Sequence, residues 1–368
     1  MKKLLFVMFL PLFICCNSEK NQKEISIEGN DAAIRYVGRT LVEETGVSFD
    51  WSGTYLELNF VGQQISLKAS DNVHSYYNCT IDDSVRVIEI ASADTTILLA
   101  NGLKPKVQHT LRLQKRSEGS QGLTTIKGFT IKGKEPQILP ASGKSERHIE
   151  FIGDSYTCGY GVESTLEDNF SGATENCNLA HGAIIARLFD ADYNFVSNSG
   201  KGMVRNYGDK NTTSKNGTMR ELITQTFNTR KEPKWNYATS PYSPDLVVIF
   251  LGINDYSTQP QPSIAEFSSG YKEMILTLRS AYGKAVPILC IAPVTGGGKA
   301  KDAIDQMKAQ LGDKNIYAIE HFDNFMANPK DLGAHYHPNI EGQRKIAMMA
   351  IPYISTITGW DIPREVIE

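Results

Sequence analysis

Residues 149–155 read Ile149-Glu150-Phe151-Ile152-Gly153-Asp154-Ser155, an apolar strand that stops at a Gly-Asp-Ser turn. In α/β proteins, the loops at the carboxyl ends of strands present reactive groups. Ser155 is therefore a candidate nucleophile, provided that a base and an oxyanion hole converge on it. The tripeptide alone is a weak signal, because Gly, Asp and Ser also form ordinary turns.

The second half of the chain alternates continuous apolar runs with helical periodicity. The apolar runs include 195–196, 246–251 and 288–291, and helices are predicted at Ile264–Tyr282 and Gly342–Ile354. This alternation predicts a parallel sheet covered by helices on both faces. We expect a three-layer αβα, flavodoxin-like domain over residues 146–368.

In the first half of the chain, apolar residues recur with a different period. Residues 24–140 contain short segments that alternate apolar and polar residues, such as 55–60, 85–90 and 110–113, separated by turn residues. Many short strands of this kind predict an all-β sandwich. Residues 136–147, which contain prolines and a glycine, predict a linker.

The N-terminus is typical of an export signal. Two lysines precede an apolar run that is too short to span a bilayer, and Cys15 and Cys16 follow it. Residues 1–16 resemble a bacterial lipoprotein signal with either cysteine as the lipidated residue, and plain secretion is the alternative. Export permits disulfides, so Cys158 and Cys177 could pair, whereas Cys290 is expected to be a buried thiol.

Composition excludes several function classes. The 368 residues favour two domains, and the net charge of −3 with 41% hydrophobic residues indicates an ordinary globular protein with no affinity for nucleic acid. The expected membrane contact is limited to the N-terminal lipid. We expect a monomer without a cofactor.

Three further loops follow predicted strands or precede the last helix. Gly200 and Gly202 follow one strand, Asn254 follows another, and His337 precedes the final helix. Glycine lets a backbone N–H approach an oxyanion, an asparagine amide adds a donor, and a histidine can deprotonate a serine. Each residue has an ordinary structural role as well, but their order and placement together favour a hydrolase.

That order resembles the SGNH hydrolases, also called the GDSL family, and more closely carbohydrate esterase family 2. The resemblance covers nearly the whole mature chain, and it rests on 36–39, 49–54, 150–161, 174–176, 199–207 and 244–249. It implies a jelly-roll N-terminal domain and an acetyl esterase acting on xylan or glucomannan. It also implies that Ser155 is the nucleophile and His337 the base, with an oxyanion hole of Ser155, Gly200 and Asn254. Gly202 is the alternative to Gly200.

One departure concerns the third member of the triad. SGNH enzymes usually carry an aspartate two or three residues before the histidine, where this chain has His335 and Ala334. We predict a Ser–His dyad in which a backbone carbonyl, that of His335 or a neighbour, accepts from Nδ1 of His337. Asp331 and Asp323 are the alternative acids.

Other side chains near these loops have weaker signals. His335 and His337 could hold a metal, but no third ligand is nearby in sequence, so no metal site is predicted. Among the aromatic residues that could stack on sugar rings, Trp235 and Tyr256 are predicted to line the cleft, Tyr207 is a further candidate, and Trp51 is predicted to lie in the sandwich core.

The leading hypothesis is a carbohydrate O-acetyl esterase whose substrate is an acetylated polysaccharide or oligosaccharide. One alternative is an SGNH esterase for another acyl ester. The other is a catalytically weak glycan-binding surface lipoprotein, which the absent acid keeps open.

Overall fold

The computed structural model describes residues 22–321 and 328–363. The predicted signal peptide, Cys15, Cys16 and Asp323 lie outside these ranges. None of the helices within the ranges is both long and apolar enough to cross a membrane.

The N-terminal half consists of antiparallel strands in two six-stranded sheets, as predicted for an all-β sandwich. Its strands are β1 (Lys23–Glu28), β2 (Ile34–Val37), β3 (Leu41–Glu43), β4 (Gly46–Phe49), β5 (Tyr55–Val61), β6 (Gln64–Asp71), β7 (Ser75–Ile81), β8 (Ser84–Ile90), β9 (Thr95–Asn101), β10 (Gln108–Lys115), β11 (Thr124–Gly133) and β12 (Gln137–Ile138). One sheet has the order β3-β4-β11-β6-β9 with β1 on β11, and the other has the order β12-β5-β10-β7-β8 with β2 on β5. The segment predicted as a linker contains strand β12, in which residues 137–138 pair antiparallel with β5.

Alternation along these strands explains the sandwich. Apolar side chains from both sheets form one buried cluster that includes Phe49, Leu58, Leu67, Leu113 and Phe129. Since successive strand residues point to opposite faces, each strand contributes every second residue to this core.

The second half is a five-stranded parallel sheet between two helical layers, which confirms the predicted α/β fold. Its strands are β13 (Arg147–Gly153), β14 (Ala191–Ser197), β15 (Leu246–Phe250), β16 (Ile288–Pro293) and β17 (Ile316–His321), in the order β14-β13-β15-β16-β17. The helices are α1 (Ser155–Cys158), α2 (His181–Leu188), α3 (Met219–Leu222), α4 (Ile253–Tyr256), α5 (Ile264–Tyr282), α6 (Lys299–Leu311) and α7 (Ile340–Thr358). This is the doubly wound order in which a ligand crevice forms outside the carboxyl ends of the strands.

Local signals fix the two long helices. Helix α5 has the predicted bounds, because Ser263 and Glu266 form a capping box at its start and Gly283 ends it with φ 81°. Helix α7 begins two residues before the predicted position, since the Asn339 side chain accepts from the N–H groups of Glu341 and Gly342.

Buried polar contacts join the two halves. Both carboxylate oxygens of the fully buried Asp50 accept from the segment after α3: Oδ1 from Asn228 N at 2.7 Å, and Oδ2 from Thr229 N and Oγ1 at 2.9 and 2.7 Å. Trp51 was predicted to lie in the sandwich core, and this prediction is wrong. It belongs to the cluster beneath the parallel sheet, and its Nε1 donates to Thr226 O at 2.9 Å.

The cysteines of the described chain are buried free thiols, so Cys158 and Cys177 do not pair, and Cys290 is buried in β16 as predicted. The buried sulfur atoms face other partners: Cys158 Sγ lies 3.3 Å from Ser197 Oγ, and Cys177 Sγ lies 3.2 Å from Lys115 O.

We predict that Asp50→Ala lowers the free energy of unfolding by about 2–4 kcal/mol, because three donors that contact the carboxylate lose their acceptor inside the protein. Urea denaturation followed by circular dichroism measures the change. Asp83→Ala, at an exposed turn of the same sandwich, is the control and should shift the value by no more than about 0.5 kcal/mol. Equal stability of the two variants would contradict this role for Asp50.

Candidate active site

Ser155 lies where the central strand β13 ends. The strand stops at Gly153, Asp154 caps helix α1 by accepting from Tyr156 N at 3.1 Å, and Ser155 is the first helical residue. In the parallel register, Gly153 is opposite Ser197 of β14 and Phe250 of β15. The loops after all three strands therefore meet at one edge of the sheet.

His337 reaches Ser155 from the segment before α7. Its Nε2 lies 2.8 Å from Ser155 Oγ, and its Nδ1 lies 3.1 Å from the carbonyl oxygen of His335. A carbonyl can only accept, so Nδ1 carries the proton and Nε2 is left to accept from the serine. This is the geometry that a Ser–His dyad requires.

The His335 carbonyl reaches His337 through an unusual turn. His335 and Tyr336 have φ angles of 53° and 61°, in the left-handed region that residues with a side chain rarely adopt. The turn brings the 335 carbonyl back onto the imidazole two residues later. Such strained backbone persists only where surrounding contacts hold it.

The alternative acid within the described chain is engaged elsewhere. The buried Asp331 carboxylate forms an ion pair with Lys345, and the Asp331 backbone carbonyl accepts from Asn339 N. Both ring nitrogens of His337 already have the partners given above. Among residues 22–320 and 328–363, His337 thus has a backbone carbonyl where SGNH enzymes have an aspartate.

Tyr160 contacts both His335 and His337, and this contact was not predicted from the sequence. Its ring lies 4.3 Å from the His337 ring and stacks on Phe170 at 3.9 Å, measured between centroids. Its hydroxyl lies 2.9 Å from Nδ1 of His335. The tyrosine thus holds the imidazole and the residue that supplies its acceptor, and the Gly159-Tyr160-Gly161 sequence was the available signal.

Two backbone amides at the cleft have no acceptor in the described chain. In the described chain, the N–H groups of Ser155 and Gly200 donate to no other residue, and both residues line the same cleft. Gly202, the alternative, is engaged: its N–H donates to Asn206 Oδ1 at 3.2 Å, and a Cβ there would lie 2.0 Å from Arg205 O. The geometry therefore favours Gly200 over Gly202 as an oxyanion donor.

Asn254 differs from the expectation. Its Nδ2 donates to Asp154 Oδ2 at 3.1 Å and to Lys201 O at 2.9 Å. An amide nitrogen has two hydrogens, so both are engaged. Asn254 can donate to an oxyanion only after it releases one of these acceptors.

Two buried aspartates hold the surrounding loops. Asp255 accepts from the N–H groups of Met203, Val204 and Arg205 at 2.8–2.9 Å, which fixes the segment after the glycines. Burial raises the pKa of Asp255 to about 6, and burial, with the nearby Asp255 charge as a lesser cause, raises the pKa of Asp154 to about 7.

The cleft above Ser155 is open and has a volume of about 580 Å³, within the range of small-ligand sites. Two strongly exposed aromatic side chains line it: Tyr207 is 63% exposed and Tyr336 is 71% exposed. An exposed ring at a cleft is available to stack on an apolar face of a ligand.

Neither aromatic residue that was predicted to line the cleft does so. Trp235 precedes β15, so it lies at the amino end of the sheet, where Arg39 packs on its ring at 5.4 Å. Tyr256 is 2% exposed and packs on Phe267 at a centroid distance of 5.1 Å, because the turn of α4 points it into the core.

One group of metal-ligand types occurs in the described chain, away from His335 and His337. The buried side chains of Glu118, Cys158 and Glu175 place one donor atom each within 4.8 Å of one another. Burial raises the pKa of the Glu175 carboxyl and of the Cys158 thiol well above their usual ranges. The protonated carboxyl and thiol are poor metal ligands.

Two family models match the chain in succession. Residues 36–141 match the N-terminal domain of carbohydrate esterase family 2, and residues 151–345 match the GDSL-like lipase/acylhydrolase family. An acetylxylan esterase/glucomannan deacetylase of Cellvibrio japonicus is 30% identical over 342 residues, which cover 88% of this chain and 90% of that protein. The chain belongs to carbohydrate esterase family 2. It is therefore an ester hydrolase of the SGNH type, which confirms the sequence prediction.

Solved structures agree with this membership. A family 2 carbohydrate esterase from Clostridium thermocellum, solved with cellohexaose, superimposes with a TM-score of 0.80 at 29% identity, covering 89% of this chain and all of that one. The cellulase/esterase CelE of Acetivibrio thermocellus is 30% identical over 90% of this chain, but this chain covers only 40% of CelE.

We predict that the His337 imidazole titrates near pH 4 instead of near its usual 6.5, because burial disfavours the imidazolium and so lowers the pKa to about 4. Nitrogen-15 NMR of labelled histidine measures this directly. Ser155→Ala should titrate at nearly the same pH, since burial is the main cause. A midpoint near 6.5 in both proteins would contradict this account of the site.

Proposed function

We propose that this family 2 esterase removes O-acetyl groups from plant polysaccharide or oligosaccharide, such as xylan or glucomannan, through an acetyl-enzyme on Ser155. The observation that carries the proposal is the 2.8 Å contact between Ser155 Oγ and His337 Nε2, at a cleft lined by Ser155 and Gly200, whose N–H groups donate to no residue in the described chain. The names of the relatives supply the substrate class, since one is an acetylxylan esterase/glucomannan deacetylase.

In the first half-reaction, Ser155 Oγ attacks the acetyl carbonyl while His337 Nε2 takes the serine proton. The carbonyl oxygen gains negative charge, which the N–H groups of Ser155 and Gly200 stabilise. His337 then returns the proton to the departing sugar oxygen. Water, deprotonated by His337, then attacks the acetyl-serine; as the bond to Ser155 Oγ breaks, His337 returns the proton to Oγ and acetate is released.

The low pKa of His337 keeps the base unprotonated at neutral pH, so Nε2 is ready to accept. The His335 carbonyl holds the Nδ1–H tautomer that this step needs. A carbonyl carries no full charge, however, and stabilises the imidazolium less than a carboxylate would. We therefore expect a functional dyad that is slower than a triad in the same geometry.

The cleft favours a short acyl group on a bulky alcohol. Tyr207 and Tyr336 are exposed at the cleft and offer rings on which sugar residues can stack. The site is open rather than a deep apolar tunnel, so a long acyl chain would find little surface to bury.

Glycan binding with weak catalysis is the second candidate, favoured by one observation. Both hydrogens of the Asn254 amide are engaged, which leaves two of the three expected oxyanion donors available. A solved carbohydrate esterase that is 26% identical to this chain is described as having an active site with divergent catalytic and non-catalytic binding functions.

We also propose that the protein is exported, with a lipid anchor on Cys15 or Cys16. The lipoprotein-like residues 1–16 support export, and a polymeric plant substrate would require it.

Ser155→Ala should abolish acetate release from acetylated xylan and hydrolysis of p-nitrophenyl acetate, by about three decades or more in kcat, because no nucleophile remains. Acetate assay and circular dichroism measure activity and fold. Wild-type activity in the variant would overturn the assignment. Tight glycan binding without acetate release by the wild type would favour the second candidate, and faster turnover of long acyl esters would favour another acyl substrate.

His335→Asn should retain kcat within about ten-fold of the wild type, because the backbone carbonyl of residue 335 orients His337 and asparagine tolerates the left-handed turn. His337→Ala is the matched comparison and should lose about three decades or more. If both variants lose equal activity, the His335 side chain, rather than its carbonyl, is the essential group.

A further inference from the structure

A loop of the β-sandwich lies directly behind the proposed oxyanion hole. Glu118, between β10 and β11, is 4% exposed, and its Oε2 accepts from Ser199 N at 2.8 Å. Ser199 immediately precedes Gly200, a cleft residue whose N–H has no acceptor in the described chain. A residue of the N-terminal half thus bonds the backbone next to an oxyanion donor.

Gly200 has no side chain that could fix the orientation of its backbone. Its φ is 75°, and a Cβ built there would meet nothing within 4 Å, so neither a side chain nor close packing restrains it. Its conformation depends on neighbouring bonds. Ser199 N donates to Glu118, Lys201 N donates to Asn198 O at 3.3 Å, and Tyr207 N donates to Gly200 O at 2.9 Å. The Glu118 bond comes from outside the loop, because its acceptor belongs to the sandwich.

Glu118 is itself held in place. Its own N–H donates to Oε2 of the fully buried Glu175 at 3.0 Å, and the next residue, Gly119, packs so closely on Asn228 that a Cβ would lie 2.6 Å away. A glycine is therefore required at 119 for the loop to approach this surface.

The two residues that precede Ser199 in the active-site loop also form hydrogen bonds, in this case with Asn228. Asn228 donates to Ser197 O at 3.3 Å and accepts from the Asn198 side chain at 2.8 Å. Asp50 of the sandwich in turn accepts from Asn228 N. Residues 197, 198 and 199 are thus each held, directly or through Asn228, by the N-terminal half.

We propose that Glu118 is a positioning residue for the oxyanion hole: by accepting from Ser199 N–H, it aims the Gly200 N–H at the acetyl oxygen. The sandwich then serves catalysis by bracing this loop, besides any part in binding glycan. The expected effect of Glu118 on the reaction rate rests on the proposed function. Its expected effect on the direction of the Gly200 N–H does not.

The kinetic test compares Glu118→Ala and Glu118→Gln with Glu89→Ala, an exposed glutamate of the same sandwich. With p-nitrophenyl acetate, Glu118→Ala should lower kcat about 10- to 100-fold with KM within about two-fold, as expected for a weakened oxyanion donor. Glu118→Gln should recover part of the loss, because its amide oxygen still accepts. Glu89→Ala should match the wild type.

A second measurement separates positioning from simple support of the fold. A boronic acid that bonds Ser155 as a transition-state analogue should bind Glu118→Ala more weakly by the same factor as kcat falls, while cello-oligosaccharide affinity and the thermal midpoint change little. Unchanged kcat, or a parallel loss of kcat, glycan affinity and thermal stability, would overturn the proposal.

A crystal structure of Glu118→Ala keeps this inference independent of the proposed reaction. A Gly200 N–H turned away from Ser155 supports the positioning role even if the wild type releases no acetate. An unmoved 198–201 loop overturns the role even if the wild type proves to be an active esterase.

Discussion

The parallel register at Gly153 is the constraint on which the site depends. Gly153 is opposite Ser197 on one side and Phe250 on the other, so three strands end level and their loops meet at Ser155. A Cβ at 153 would lie 2.0 Å from Thr157 Oγ1, which means that only glycine allows α1 to start so close to the strand end. Carboxyl-end loops in a doubly wound sheet can combine residues from distant parts of the chain in this way.

Around that edge, backbone groups make many of the contacts on which the proposed site depends. The His335 carbonyl accepts from Nδ1 of His337, the proposed oxyanion donors are the amides of Ser155 and Gly200, and Asp255 holds its loop through three backbone N–H groups. Backbone groups keep their geometry only if the loops are rigid. This explains why the site is surrounded by buried carboxylates and by close contacts with the sandwich.

Much of the fold followed from local signals. The apolar face of α5 predicted that helix to the residue, and the alternating strands predicted a sandwich. The errors fell where tertiary contacts override local pattern. Trp51 sits on a sandwich segment but packs beneath the other half, and Tyr256 follows an active-site loop but turns into the core.

The sequence by itself determined the types of element, their order, and the presence of Ser155, Gly200, Asn254 and His337 in the order of an SGNH hydrolase. Hydrophobic period and turn chemistry are properties of neighbouring residues, so they can be read locally. Only the tertiary structure decided which group faces Nδ1 of His337, that both Asn254 hydrogens are engaged, and that Glu118 holds Ser199. The last contact joins residues 81 positions apart, and such a bond exists only once the sandwich and the parallel-sheet half have packed together.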